Sequence, residues 1–338
     1  MNKDFRLRQF NRNFRAMGTE VALWLWNNHE QRAETALAAA ARFFAETEAT
    51  LSRFRPESEL MRLNRAAGRP FTASPVLYNL VESALEWRRR TEGIFDPTVL
   101  NALIAAGYDR PFDAIHAANG DALPAVTSPA VTSHVAPASE WSVDLNAINL
   151  LPNRQILLAA GVGLDLGGIA KGWTIQQAAN RLGMWGPCLV NAGGDVACTG
   201  SPPGEPWVVT MPDPRADDLD LAVLALQNET VATSSRTIRR WQHNGKPAHH
   251  LIDPRTGAPA ETAVLSVTVV SPRLPDGEIH AKTALILGAE AGIAYLERVT
   301  GIAAMVVTDD GRQLTCGRFE EKGYGSTRSF AERFGIGA

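Results

Sequence analysis

Three cysteines in 338 residues, Cys188, Cys198 and Cys316, are too few and too poorly spaced for a zinc site. Their odd number also argues against a disulfide framework, and buried free thiols are the expectation. No apolar run is long enough to span a bilayer. The N-terminal stretch lacks the apolar segment of a signal peptide, and no early cysteine offers a lipid anchor. The chain as given therefore reads as cytoplasmic, with no membrane insertion of its own. An excess of one charge is missing as well. The 33 Lys and Arg against 36 Asp and Glu leave a net charge of −3, scattered along the length, so there is no nucleic-acid footprint. The local exception is Arg6, Arg8, Arg12 and Arg15, which define a basic arm over residues 1–15 expected to be a short solvated tail. Regular βαβ rhythm and short-period repeats are absent too, which disfavours a doubly wound sheet.

What is present is a chain 45% hydrophobic, enough for one large domain over residues 16–338. Residues 20–26 read as a strand and 31–47 as an Ala-rich helix. Ser58 precedes a short helical turn, and Ser74-Pro75 opens another helix in the order N-cap, then Pro. Arg88, Arg89 and Arg90 suit the C-terminus of that helix electrostatically, and Gly93 closes it. Residues 119–138, rich in Ala, Pro, Ser and Thr, read as a surface excursion. Short strands are expected at 141–150, 155–158, 188–190, 207–211, 222–224, 230–233, 264–270 and 303–307. Helices are expected at 174–182, 279–286 and 289–299.

Several segments carry chemistry. Asp165-Leu166-Gly167-Gly168-Ile169-Ala170-Lys171-Gly172 places a carboxylate, a glycine pair and a cation at a helix N-terminus, which suits a phosphate or pyrophosphate. An ordinary strand-to-helix turn explains the same residues about equally well. Phe95-Asp96-Pro97 puts an Asp on a turn, and Asn191 to Asp195 sets a glycine pair at a strand end, where a ligand can approach the backbone. Thr233-Ser234-Ser235 offers three hydroxyls, and His250 stands near the Asp253-Pro254 turn as an acid/base candidate. Each has a structural reading in its own right: turn formers, a helix cap, a hydrogen-bonded histidine.

In this order, Met17-Gly18-Thr19, Ser52 to Asn64, Gly93 to Val99, Asp165 to Gly172, Asn191 to Asp195, Ala232-Thr233-Ser234 and His250 to Gly257 resemble the ApbE-type FAD:protein FMN transferase family. The resemblance implies an α+β fold, with mixed β-sheets and helices in two intertwined lobes around a flavin cleft. It implies transfer of FMN from FAD to a Thr or Ser of an acceptor protein, with release of AMP. Met17, Phe54, Phe95, Asp96, Pro97, Asp165, Lys171 and Ile252 fall on flavin-contacting positions. His250 falls on the catalytic histidine, and the Gly168 carbonyl and Thr283 hydroxyl on Mg²⁺ ligands. Phe54 replaces a frequent Tyr and keeps a ring for stacking.

One stretch departs from the pattern. The usual Ala-Asp-Ala-x-x-Thr-Ala aligns with Glu278-Ile279-His280-Ala281-Lys282-Thr283-Ala284, which puts Ile279 at the metal-binding Asp and Lys282 at a position acidic in some members. An apolar side chain cannot coordinate Mg²⁺, and an ammonium repels it. Glu278 and His280 are each rotated about 100° from Ile279 on a helix, and a one-residue register shift would recruit Glu278. A second departure is the basic run Arg236, Arg239, Arg240 with Trp241, which reads as an exposed helix or as an anion clamp. The expectation is an FAD-binding transferase with altered metal dependence, in which Lys282 replaces the ion. Its alternatives are a non-catalytic FAD-binding protein and an FAD pyrophosphatase.

Overall fold

The computed structural model describes residues 6–119, 147–216 and 219–322. Its centre is an eight-stranded sheet of β1 (Arg8–Ala16), β2 (Thr19–Asn27), β3 (Cys188–Ala192), β4 (Asp195–Thr199), β5 (Thr230–Ser235), β6 (Val264–Ser271), β7 (Ala303–Thr308) and β8 (Gln313–Cys316). Strand order across the sheet is the order along the chain, and every neighbouring pair is antiparallel. The residues between successive strands supply the helices and small hairpins.

The basic arm is a correction to the sequence reading. Arg8 to Arg15 are not a solvated tail but the edge strand β1, paired in register with β2. The hairpin closes at Met17-Gly18, both at positive φ, as a two-residue turn of matching twist requires. Exposed Arg8 and Arg15 and half-buried Arg12 put positive charge along this edge, which keeps it from pairing with other chains.

Period-two alternation in β2 separates two faces. Val21, Leu23 and Leu25 pack on helices α1 (Glu30–Leu51) and, farther along the chain, residues 170–183, while Trp24 and Trp26 turn to the opposite face. There the hairpin Trp207–Pro212/Asp220–Leu226 covers the sheet through Trp207, Leu224 and Leu226. A second lobe is built from α2 (Glu59–Arg65) and α3 (Pro75–Arg90) on a three-stranded sheet of Phe71–Thr72, Gln155–Leu158 and Ile148–Leu151. Ser74 Oγ accepts from Leu77 N, so the expected N-cap forms, and Ser58 Oγ caps α2 in the same way by accepting from Met61 N. Glu59 then accepts from Ser74 N and Oγ at 2.6 Å each, tying the two helix starts together. The excursion expected at 119–138 and the start of the strand expected at 141–150 lie largely outside the described residues.

The remaining helices are α4 (Leu100–Ala105), α5 (Phe112–Asn119), α6 (Ala170–Gly183), α7 (Leu274–Leu287) and α8 (Ala289–Glu297), of which α6 and α7 contribute to the cores of both lobes. The basic run from Arg236 is no helix. Arg240–His243 and Lys246–His249 form a hairpin across Asn244-Gly245, both at positive φ. Trp241 is buried there, its indole N–H donating to the Ala106 carbonyl at 2.8 Å.

Candidate functional site

Where the lobes meet, a cavity of about 520 Å³ opens, within the usual range for a small-molecule site. The Met17-Gly18 turn forms one wall, and Asp165, Gly167 and Gly168 lead into α6 at another. Asp195, Thr233, Ser234 and Ser235 come from the ends of β4 and β5. Arg239 and His250 enter from either side of the Asn244-Gly245 hairpin, and Glu278 and Lys282 from one face of α7. These two are four residues apart, so one helix turn presents both to the same space.

The charged groups are organised in pairs. Arg53 Nε lies 2.9 Å from Asp165 Oδ2, with the guanidinium over the Phe54 and Tyr108 rings at 4.0 and 4.3 Å. Arg53 also donates to the Tyr108 carbonyl at 2.6 Å, which fixes its plane. Lys171 Nζ sits 2.5 Å from Asp195 Oδ2, and Asp195 Oδ1 accepts from Thr233 N at 2.9 Å. Glu278 Oε2 accepts from Gly172 N at 3.0 Å, so a carboxylate caps α6 from another helix. Burial pushes the Glu278 carboxyl up to about 6, against the pull of Lys171. Lys282 is lowered by burial and supported as a cation by Glu278 and Asp165. Arg239 lines the cavity with no carboxylate partner among the described residues.

His250 is held well below the ordinary histidine pKa by burial, with Arg239 and then Lys282 adding to the effect. The ring is therefore neutral near pH 7. Its buried Nδ1 makes no well-formed hydrogen bond with the described residues. A neutral imidazole beside two cations can accept a proton, and it does so best once an anion has offset those cations.

The site helix requires the clearest correction. Glu278, the residue that a one-residue shift would recruit, lines the cavity, and Ile279 does not. Ile279 lies in the apolar core of the second lobe with Phe95 and Ala170. Thr283 is buried away from the cavity lining, beside the Tyr295 hydroxyl, and so is not placed as a cavity ligand. His280 donates to or accepts from Tyr295 Oη at 2.7 Å and stands edge-on to Trp87. A further correction concerns α6, which begins at Ala170 rather than Thr174, so Lys171 belongs to its first turn.

Of the other expected residues, Met17, Phe54, Asp165, Gly168 and Lys171 line the cavity together with His250. Phe95, Asp96, Pro97 and Ile252 do not. Phe95 backs Gly168, and the Pro97 carbonyl accepts from Asp165 N at 2.8 Å. Asp96 is buried, with Oδ2 3.0 Å from Arg88 Nε and Oδ1 accepting from Thr98 N and Oγ1. Ile252 packs with Tyr108 and Trp241. Arg53 and Tyr108 were not singled out as site residues from the sequence, whereas Arg239, named in the anion-clamp reading of the basic run, does line the cavity. The helix alternative for that run could have been set aside, because Asn-Gly between two short strand-like runs marks a hairpin.

Fold and cavity together define the class: an antiparallel α+β protein whose open cleft joins ring-bearing and apolar surface to paired charges. The chain belongs to the ApbE family, whose family model matches residues 17–306. It is 29% identical over 321 residues to the FAD:protein FMN transferase of Treponema pallidum, covering 91% of this chain and 86% of the relative. It is 28% identical over 298 residues to that of Klebsiella pneumoniae, covering 86% and 87%. Among solved structures it superposes on the ApbE protein of Thermotoga maritima with a TM-score of 0.78 at 24% identity, over 93% of this chain and 99% of the other. The apo flavinyl transferase ApbE of Pseudomonas stutzeri gives 0.73 at 22% identity over the whole of both chains. These two likenesses confirm the α+β fold.

Proposed function

We propose that this protein transfers FMN from FAD to a Thr or Ser hydroxyl of an acceptor protein and releases AMP. The observation that carries the reading is a neutral His250 in the wall of a cavity where Arg239 and Lys282 face it. The relatives' activity supports it, since two of the similar chains are FAD:protein FMN transferases.

In this reading Met17, Leu103 and the Phe54 and Tyr108 rings supply surface for the flavin. Arg239 and Lys282 attract the pyrophosphate, whose charge in turn favours proton uptake by His250. His250 takes the proton of the acceptor hydroxyl as its oxygen attacks the FMN phosphorus. A new P–O ester bond forms, the P–O–P link to AMP breaks, and AMP leaves with the electron pair. The nearby cations stabilise charge growing on the departing phosphate. The Arg53–Asp165 and Lys171–Asp195 pairs hold the surrounding walls in register, so little reorganisation accompanies the reaction.

The test is a mixture of purified protein, FAD and the proteins of its native cell, resolved on a denaturing gel and viewed by flavin fluorescence. A covalently fluorescent band that needs both enzyme and FAD, and is lost with His250→Asn, supports transfer. AMP without such a band points to pyrophosphate hydrolysis. FAD recovered intact points to binding alone.

A further inference from the structure

The resemblance to the ApbE family brings with it a divalent cation at the Gly168 loop, and the residues there do not fit one. Mg²⁺ requires several oxygen ligands in near-octahedral array. The carboxylates of the cavity floor are already engaged: Asp165 by Arg53 and the Gly167 N–H, Asp195 by Lys171 and the Thr233 N–H, Glu278 by the Gly172 N–H. Among the described residues no group of three or more His, Cys, Asp or Glu is placed to hold a metal ion. The space in front of Gly168 is taken by an ammonium. A methyl group built on Gly168 would overlap Lys282 Nζ, and Cε of the same lysine would lie 3.2 Å from it. Gly168 is thus the one residue type that lets this ammonium reach the loop.

Charge balance points the same way. Of the charged side chains lining the cavity, Glu48 is paired with Arg55 and Asp113 with Arg15, which leaves the cations Arg53, Lys171, Arg239 and Lys282 facing the carboxylates Asp165, Asp195 and Glu278. Two of the cations are spent on direct pairs. Arg239 and Lys282 remain with only Glu278 between them, which leaves a local surplus of positive charge without any ion. A pyrophosphate would be met by that surplus.

We propose that the Lys282 ammonium takes the place of a divalent cation, so that this chain grips the FAD pyrophosphate through Lys282 and Arg239 without a metal ion. The inference rests on the FAD reading given above. A divalent ion beside Gly168 would meet the ammonium head-on and be repelled. An ammonium provides charge and three donors but not the multi-oxygen template of a metal, so binding is retained more fully than rate.

Two measurements test it. First, FAD affinity is read from flavin fluorescence in EDTA and in excess Mg²⁺, for the wild type and for Lys282→Met, which keeps length and removes charge. The expected result is a wild-type Kd equal within about twofold in both buffers, and a loss of about tenfold or more in Lys282→Met. Second, Mn²⁺ is titrated into the wild-type protein alone and followed by electron paramagnetic resonance, with no stoichiometric binding expected. Affinity for FAD that rises about tenfold with Mg²⁺, or one Mn²⁺ bound tightly per chain, overturns the proposal even if Lys282→Met fails to fold. Absence of FAD binding in both buffers overturns the FAD reading itself and this proposal with it.

Discussion

Asp96→Asn separates a ligand contact from a scaffold residue. Asp96 lies beneath the cavity with its side chain 2% exposed, and Arg88 beside it is 4% exposed. The pair is dry, and Asp96 also accepts from Thr98 N at 2.8 Å and Thr98 Oγ1 at 2.7 Å. The amide keeps much of the shape but removes the charge that offsets Arg88. Breaking a buried pair from one side costs about 3–5 kcal/mol, a large part of a total stability of about 5–15 kcal/mol. With a urea m-value near 3 kcal/mol/M, the unfolding midpoint of the ligand-free protein should fall by about 1 M or more. The cavity lining does not include Asp96, so FAD affinity below the new midpoint should stay within about threefold. The double variant Arg88→Met/Asp96→Leu should recover much of the lost stability, because no charge is then stranded. Urea unfolding followed by circular dichroism and FAD titration on the same preparations read both quantities. A midpoint unchanged within error together with a collapse of FAD affinity would refute this placement of Asp96.

Other predictions follow from the same geometry. His250→Asn should lower covalent flavin transfer by about 10²–10⁴-fold while changing FAD affinity little, as single-turnover assays and titration would show. Because the His250 pKa is depressed, the free enzyme's kcat/KM should be flat from pH 8 to about 6.5, with an acid limb below. Lys282→Met removes one of the cations that depress it, so that limb should move upward in pH, measured as a pH–rate profile. His280 is 6% exposed and held at about 4 by burial, so its contribution to stability is complete above pH 6.5 and lost as pH falls toward 4. At pH 5 that loss is about 2 kcal/mol, partly offset by Glu278, whose raised pKa acts in the opposite sense. Comparing urea midpoints at pH 7 and 5 for wild type and His280→Phe checks the sign, since the variant should show the smaller acid loss. Gly168→Ala should displace the Lys282 ammonium and weaken FAD binding about tenfold, with backbone strain small because this glycine is not at positive φ.

The contrast between Ser74 and Arg88 shows what a linear reading reaches. Ser74-Pro75 acts on its own helix within one turn, so cap and start were legible from adjacent residues. Arg88 and Asp96 are eight positions apart, and each had a sufficient local explanation: one at a helix end, the other on a ligand-contacting turn. Only packing brings them together. The register of α7 was hidden for another reason. Glu278, Ile279, His280, Ala281 and Thr283 are all buried, so no polar stripe marks which face meets the cavity. A helix surrounded on every side carries no rotational signal in its polarity, so the sequence left open whether Glu278 or Ile279 meets the cavity. His250 and the Asp165 loop were legible because their chemistry is local. Arg53 and Tyr108 were not, since their role arises from the 4.3 Å approach of a guanidinium to a ring 55 positions away.

The central claim is that this cavity moves FMN with its own side chains, and the most direct test counts both products in one tube. Protein, FAD and an acceptor found by gel fluorescence are incubated in EDTA, with AMP measured by chromatography and the acceptor by intact mass. The account predicts one AMP released for each acceptor that gains an FMN less one water. FAD left intact, or AMP released with the acceptor mass unchanged, would contradict it.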